Sequence, residues 1–535
     1  MHYVATPFPY TRPPELSGAA PARRPVVIVG AGPVGLALAV DLALHGIPVV
    51  VLDDGDRVSV GSRAICWSKR TLEIFARLGV GRRMVEKGVT WQVGRLFHRD
   101  REVYAFDLLP EAGHRMPAFV NLQQYYVEEY LADRAADFPD LIELRWKNRV
   151  AGVAARPDGV TVAVETPDGA YSLEADWLVA CDGVRSTVRA SLGLDFAGEA
   201  FEERFLIADV EMKAPFPSER WFWFEPPFHT GQSALLHKQP DDIWRIDLQL
   251  GPDADPEVEK RPEKVIPRIR AMVGERPFAL DWVSVYTFQC RRLERFVHGR
   301  VVFAGDSAHI VSPFGARGGN GGIQDADNLA WKLARVIRGE AGENLIDSYD
   351  EERVRAADEN ILNSARSTHF MTPKSEAERT FRRAALELAR DHAFARRFVN
   401  SGRLSLPASL AGLSLQTPAE AGEGVAPGLA CPDAPVLGPD GRPGYLLDHL
   451  GGEFCWLVVG EVAMPATSGR VVRAGFGGLT DTEGFVARRF GEGQVYLIRP
   501  DQHVAARFQD PTPAAMAAAL ARAGGATEIE SWRAA

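Results

Sequence analysis

An apolar run that ends in Gly30-Ala-Gly32-Pro-Val-Gly35 and passes directly into a helix leaves a chain few folds to choose from. Residues 25–29 are apolar, residues 34–45 carry apolar side chains at helical spacing, and residues 47–52 form a second apolar run. Strands covered on both faces read as continuous apolar runs rather than as alternation, so this is a parallel β-α-β unit. Gly30 permits the tight turn, Gly32 lets the backbone approach a pyrophosphate, and Gly35 lets the helix pack closely on the strand. The helix N-terminus turns its free N–H groups and partial positive charge towards the phosphates. An acidic side chain at the end of the second strand, Asp53 rather than Asp54, accepts hydrogen bonds from ribose hydroxyls. The turn alone serves NAD and FAD equally, and a purely structural glycine-rich turn is the alternative.

A chain of 535 residues is expected to form two or three domains. Residues 68–78 and 121–137 read as amphipathic helices, and residues 150–179 as an antiparallel meander with a turn at 167–169. Residues 205–250 are strand-like and rich in aromatics, 301–304 form a buried strand, and 323–338 form a long helix followed by helical sequence to about 401. Residues 402–430, rich in Ser, Pro, Ala and Gly, read as a linker before a separate α/β module at 431–535. The expected partition is an arm at 1–25, a dinucleotide-binding domain at 26–200 and 291–401, and a sheet domain at 201–290 inserted between its two parts.

Net charge is -10, from 61 basic and 71 acidic residues, which argues against a nucleic-acid partner. No apolar run approaches the ~20 residues of a membrane helix, and the first 25 residues lack a signal-peptide layout. The five cysteines are dispersed without a C-x-x-C pair or metal-ligand spacing, as expected of reduced thiols in a cytoplasmic protein without a metal.

Two later segments separate FAD from NAD. Cys181-Asp182-Gly183-Val-Arg-Ser-Thr-Val-Arg189 follows the apolar residues 177–180. Gly305-Asp306-Ser-Ala-His309 follows 301–304 and leads into Pro313-Phe-Gly-Ala-Arg317-Gly318-Gly319-Asn320-Gly-Gly, then Asp325-Ala-Asp-Asn328. In this order the motifs resemble those of the single-component flavoprotein aromatic hydroxylases, the p-hydroxybenzoate-hydroxylase-like family, over roughly residues 25–370. The resemblance implies a Rossmann-like α/β FAD-binding domain interleaved with an antiparallel-sheet substrate domain. Residues 431–535 are similar to the thioredoxin-like α/β tail of the phenol-hydroxylase branch. It further implies that Asp306 holds the ribityl chain, that the stretch from Asp182 to Arg189 lies near the pyrophosphate and the nicotinamide cofactor, and that Arg63 meets FAD phosphate or ribose. Gln123 resembles a glutamine that touches the cofactor in relatives. Independently, the glycines of 313–322 bring backbone N–H groups close to a flat polar ring, and a helix beginning near Gly322 points its positive end there.

The chemistry implied is reduction of FAD by NAD(P)H, addition of O2 at flavin C(4a), and delivery of oxygen from the hydroperoxide to an electron-rich ring. A single G-x-G-x-x-G fits transient NAD(P)H binding without a dedicated domain. The expected substrate is a small phenol, with a polycyclic aromatic as the alternative. Trp221 to Pro226 also superficially matches the W-x-W-x-x-P of flavin-dependent halogenases, with Glu225 in place of the usual isoleucine, and an inert flavin-binding protein is a further alternative. Phe222, Phe224, His237 and Trp244 are candidate substrate contacts, with His237 and Tyr286 the candidates to position or deprotonate a phenol; alternation allows at most two of residues 221–224 to line one pocket. Some relatives carry an Asp or His base directly after the Arg-Ala pair, where this chain has Ile65, so any base lies elsewhere. Arg317, where relatives have glutamine, is either an anion contact or solvent-facing. The tail lacks C-x-x-C, so structural support or a homodimer contact is its expected role, and removing 431–535 is expected to leave FAD binding intact.

Overall fold

A computed structural model describes residues 3–18, 23–61, 63–313, 315–399, 404, 406–418, 422–475 and 477–526. Ser62 and Phe314, each within a motif read above, lie outside them.

The β-α-β unit forms as its apolar runs dictate. Strand Arg23–Val29 lies between Val49–Leu52 and Gly169–Ala180, with Val26 opposite both Val49 and Trp177. Ile142–Arg145 and Val301–Phe303 extend the parallel sheet on either side. Helix Pro33–Leu44 is buried from Gly35 to Ala43, consistent with its nearly uniform apolar sequence. The meander is two hairpins, Arg149–Arg156 with Gly159–Thr166 and then the long strand Gly169–Ala180.

A second, eight-stranded sheet is antiparallel except where Arg220–Phe224 runs parallel to Val93–His98. Its central strands are Ala197–Glu211, Ile243–Leu250 and Ser233–Lys238. One face packs on helix Pro262–Val273 through Val265, Ile269 and Val273; the other looks towards the parallel sheet. Ahead of the first strand, Phe8 stacks on Trp146 at 4.5 Å between ring centres, and Tyr3 on Tyr125 at 4.0 Å.

Helix Gly318–Ile337 starts five residues before the position that periodicity suggests. Glycines weaken helix propensity, so the sequence reads as loop there, but close packing decides the matter. A Cβ on Gly322 would lie 2.7 Å from Val34 Cγ2 and 3.1 Å from Gly305 Cα.

The C-terminal strands Arg470–Ala474, Cys455–Val459, Gln494–Ile498 and Val504–Phe508 form a mixed sheet with helix Pro513–Ala523 packed on it. This module is not loosely tethered. Glu352 on helix Asn344–Met371 accepts hydrogen bonds from Arg499 Nη1 and Nη2 at 2.5 and 2.9 Å, from Lys332 Nζ at 2.7 Å and from Gln416 Nε2 at 3.1 Å. Arg499 also donates to Asp501, and Arg70 Nη2 reaches the Asp501 carbonyl at 2.7 Å and Asp327 at 3.1 Å. Gln416, Leu410 and Leu415 are buried, so part of the segment expected to be a linker is packed against its neighbours.

Burial alone would raise the Glu352 carboxyl, but the charges of Arg499 and Lys332 outweigh it and hold it well below the usual carboxylate range. Removing one partner of a buried ion pair costs about 3–5 kcal/mol, whereas an exposed pair contributes at most about 1 kcal/mol. Arg499→Ala is therefore expected to lower unfolding free energy by several kcal/mol in denaturant titration, and Arg470→Ala, whose partner Glu453 is exposed, to change it little. Because the folded carboxyl is depressed, its stabilisation is present above its ordinary value of 4.5 and is lost as pH falls towards the folded value. The Arg499→Ala variant should lose stability at a higher pH than the parent. Truncation at residue 430 should lower unfolding free energy as much as Arg499→Ala or more.

Candidate active site

A cavity of about 1070 Å³ opens where the carboxyl ends of the parallel strands meet the free face of the antiparallel sheet. The first turn supplies one end. Gly30 has φ +105°, and a Cβ there would lie 2.5 Å from the Cys181 carbonyl oxygen; a Cβ on Gly35 would lie 2.0 Å from the Gly30 oxygen. Gly35 thus serves helix-to-strand packing and does not line the cavity. A Cβ on Gly32 would meet nothing within 4 Å, because that edge of the backbone faces open cavity.

Asp53 lines the cavity, with Oδ2 accepting the Ala31 N–H at 2.7 Å and Oδ1 the Gly55 N–H at 2.8 Å. Burial raises its carboxyl, and these two bonds pull in the opposite direction. Asp182 Oδ2 accepts the Val188 N–H at 3.1 Å, and among the described residues its buried Oδ1 has no hydrogen-bond partner. A buried carboxylate oxygen in that state is suited to a donor from a bound group, such as a ribose hydroxyl.

Asp306 is exposed to the cavity on the turn Gly305–Ser307, whose flanking residues Gly305 and Ser307 are buried. Asp325 anchors that turn: it accepts the Gly305 N–H at 2.9 Å, His309 Nε2 at 2.7 Å and Arg353 Nε at 2.6 Å. Gly305 itself, at φ +64°, stands behind the lining against Val34. Pro313, Gly318, Gly319 and Asn320 reach the cavity where the long helix starts, so its first N–H groups face inwards. The Asn320 amide is occupied: Nδ2 donates to the carbonyls of Cys66 and Ala316, and Oδ1 accepts from Ser68. Arg63 lies on the same wall.

Two cofactor contacts inferred from the motifs do not face the cavity. Gln123 is buried, and among the described residues neither amide atom has a partner; it is Gln124 that lines the cavity, accepting the Ala64 N–H at 3.1 Å and donating to Glu128 at 2.7 Å. Gln123 precedes helix Gln124–Ala135 with extended backbone, and that single step turns its side chain away. Arg189 is a brace: Nη1 donates to the Ser307 carbonyl at 3.1 Å, Nη2 to that of Val184 at 2.6 Å, and its guanidinium covers the Phe196 ring.

The other wall is the antiparallel sheet. Its register puts His237 opposite Arg245 and Arg245 opposite Asp209, with Leu235 opposite Asp247 and Asp247 opposite Ile207 in the next row. Arg220, His237, Arg245 and Asp247 share the cavity face with Phe205 and Tyr286. Period-two alternation sends Trp244 to the opposite face, where it packs edge-on to Phe216 in the core beneath helix Pro262–Val273. Phe222 and Phe224 share the face of Arg220, but they pack together at 4.6 Å under Leu386 and Phe370 and do not reach the cavity.

Burial keeps His237 well below its ordinary value and therefore neutral; the Cys66 sulfur lies 3.9 Å from its Nδ1. Burial likewise raises Tyr286. Arg317 is buried rather than solvent-facing, and burial pushes it down to about 10. Arg220, Arg245 and Asp247 are not among the residues the sequence reading singles out, although Arg245 and Asp247 alternate in the apolar run 243–250 and Arg220 heads 221–224.

Residues 23–364 match the family of FAD binding domains. A flavin-dependent monooxygenase of Mycobacteroides abscessus is 35% identical over 353 residues, covering 62% of this chain and 71% of that protein. The 6-methylpretetramide 4-monooxygenase of Streptomyces rimosus is 36% identical, covering 64% and 60%. The 3-(3-hydroxy-phenyl)propionate/3-hydroxycinnamic acid hydroxylase of Mycolicibacterium smegmatis is 32% identical, covering 62% and 58%. The chain thus spans about three fifths of the last two relatives. In fold it is similar to the flavin-dependent monooxygenase PieE, solved with FAD and substrate, at TM-score 0.80 and 24% identity over 94% of this chain and 100% of that one. It is also similar to the OxyS anhydrotetracycline hydroxylase of Streptomyces rimosus, at TM-score 0.70 and 27% identity over 94% and 99%.

The two inner glycine positions separate binding from folding. Gly32→Val places its side chain in open cavity, so the protein should fold with nearly unchanged melting temperature yet retain at least about tenfold less flavin, roughly 1.4 kcal/mol or more of lost affinity. Gly35→Val, driven into the Gly30 carbonyl, should lower the melting temperature itself. Flavin absorbance per protein and a thermal melt check both.

Proposed function

The chain belongs to the family of FAD binding domains and takes FAD as its cofactor; on that premise we propose that it is an NAD(P)H-dependent monooxygenase that hydroxylates a small phenolic ring. The observation that carries this reading is one continuous cavity, walled at one end by the dinucleotide motifs and at the other by a row of polar side chains on an otherwise apolar sheet. Gly32 and the start of helix Pro33–Leu44 would face the diphosphate, Asp53 and Asp182 the ribose and the groups beside it, and Asp306 the ribityl chain. The N-terminus of helix Gly318–Ile337 would face the polar edge of the flavin ring, where its partial positive charge favours negative charge. Bound FAD supplies acceptance of two electrons from NAD(P)H and activation of O2 for transfer of one oxygen atom.

The chain's own residues then have to hold the ring, exclude water and manage a proton. Phe205, Leu235 and Phe288 form the apolar part of the wall, which removes water from the site of oxygen transfer. Neutral His237 offers a hydrogen bond to a phenolic oxygen without adding charge. The Arg245 guanidinium is committed to Asp209 at 2.8 and 2.9 Å, so it shapes the wall.

A polycyclic aromatic is the second reading, favoured by the 36% identity to 6-methylpretetramide 4-monooxygenase. Aerobic assays of the flavin-loaded protein with NADH or NADPH, following nicotinamide oxidation, O2 uptake and product, separate the two. Coupled hydroxylation of at least one monocyclic phenol is expected. Coupling with polycyclic phenols alone would establish the second reading, and nicotinamide oxidation without product from any phenol would remove both.

A further inference from the structure

We propose that Asp247 is the group that takes the proton from the phenol, and that Arg220, on the same sheet face, is the cation that stabilises the oxyanion left behind. The inference rests on the phenolic reading above and goes beyond it by supplying the base that Ile65 cannot provide.

Asp247 alternates onto the cavity face of strand Ile243–Leu250 between Arg245 and Gln249. Among the described residues its side chain makes no hydrogen bond and no ion pair, and Oδ1 is enclosed without a partner. Its neighbour Asp209 differs in kind, because its carboxylate is consumed by Arg245 and by Gln239 Nε2 at 3.0 Å. Arg220 is only 9% exposed and faces the same cavity, and among the described residues its guanidinium has neither a carboxylate nor a carbonyl partner. An arginine cannot shed its charge, so a buried guanidinium without an anion is suited to a ligand that brings one. Arg220 and Asp247 form no ion pair with each other, which leaves both available to a group placed between them.

The remaining ionisable groups of the cavity are less fit for the task. At the sheet end they are His237 on the strand between, the Arg245–Asp209 pair, Cys66, Tyr286, Arg63 and the buried Arg317, and the rest, Asp53, Asp182 and Asp306 among them, line the end formed by the dinucleotide motifs. His237 is held well below its ordinary value by burial and by Arg220 and Arg245, so it binds a proton too weakly. The Cys66 thiol is pushed up to about 11 and Tyr286 is raised, so both keep their protons. Burial raises Asp247 to about 6 against the opposing charges of Arg245 and Arg220, which leaves it a carboxylate at neutral pH but a stronger base than an ordinary one. A phenol ordinarily ionises near 10. An adjacent unpaired cation lowers that figure while burial raises the carboxyl, so the gap closes from both sides.

The step balances without a co-reactant. The phenolic O–H bond breaks with its electron pair kept on the ring oxygen, a new O–H bond forms at Asp247, and the negative charge moves from the carboxylate to the phenolate with no change in the total. The phenolate donates density to its ring, which the transfer of an electrophilic oxygen atom requires.

Two measurements on the flavin-loaded, full-length protein test this. In the first, 4-nitrophenol is added at a pH where it is already ionised, and proton exchange with the medium is followed by an indicator dye. A phenolate arriving beside Asp247 should draw roughly one proton per site from solution in the parent, and none in Asp247→Asn. In the second, a phenol that the parent hydroxylates is compared with a ring-fluorinated analogue acidic enough to be ionised at neutral pH. Asp247→Asn should lose about 100-fold or more in kcat/KM with the parent phenol, along with the acid limb near pH 6, and less than about threefold with the analogue. Equal proton uptake in both proteins, or equal loss with both phenols, would overturn the assignment. Arg220→Gln should raise the pH at which bound 4-nitrophenol ionises, and an unchanged value would remove Arg220 from the proposal. Failure of the parent to bind or turn over any phenol would instead defeat the phenolic reading, and the inference with it.

Discussion

The close approach of helix Gly318–Ile337 to the first β-α-β turn is the constraint on which the rest of the structure depends. Only glycine at 322 lets the helix lie against Val34 and Gly305, and that proximity turns the helix N-terminus into the cavity. The same helix carries a line of buried polar residues that no solvent satisfies. Asp325 holds the Asp306 turn, Asp327 joins Arg70 and Arg77, and Lys332 joins Glu352 and hence Arg499 of the C-terminal module. Buried charges of this kind are costly unless every partner is present. The helix therefore couples three places far apart in sequence: the cofactor turn, helix Lys69–Arg77 and the tail.

That coupling explains why motifs and ion network occur together. A dinucleotide bound by backbone N–H groups requires those groups to be held still, and loops alone hold them poorly. Here the Asp306 turn is held by Asp325, which accepts the Gly305 N–H and the His309 ring and is itself fixed by Arg353, and the turn bearing Asp182 is pinned to it by Arg189. The sheet opposite is stiffened in the same way by the Arg245–Asp209–Gln239 cluster, which leaves Arg220 and Asp247 as the uncommitted charges of its wall.

Much of the cofactor half was legible in the sequence, because glycine-rich turns at strand ends have few structural solutions. Gly30, Gly32, Asp53, Asp182 and Asp306 all line the cavity. Errors arose where a single residue step decides direction. Gln123 and Gln124 are chemically identical, and only the helix start distinguishes them; Trp244 and Arg245 are neighbours on a strand, and the sheet pairing decides which one faces the cavity. Arg189 belongs to a motif whose resemblance implies a cofactor contact, but its guanidinium is spent on two carbonyls. The ion network was not legible, since Lys332, Glu352 and Arg499 are ordinary surface residue types until packing buries them together. Part of the Pro- and Gly-rich stretch at 402–430 is packed for a related reason: composition signals a missing helix or strand, not a missing neighbour.

The most direct test of the central claim is a crystal structure of the protein with both FAD and a phenol bound. The account expects the FAD diphosphate against the Gly32 backbone, the ribityl chain within hydrogen-bond reach of Asp306, and the phenolic oxygen between Arg220 and Asp247 in the same cavity. FAD bound away from these motifs, or a phenol whose oxygen points away from both charged side chains, would contradict it.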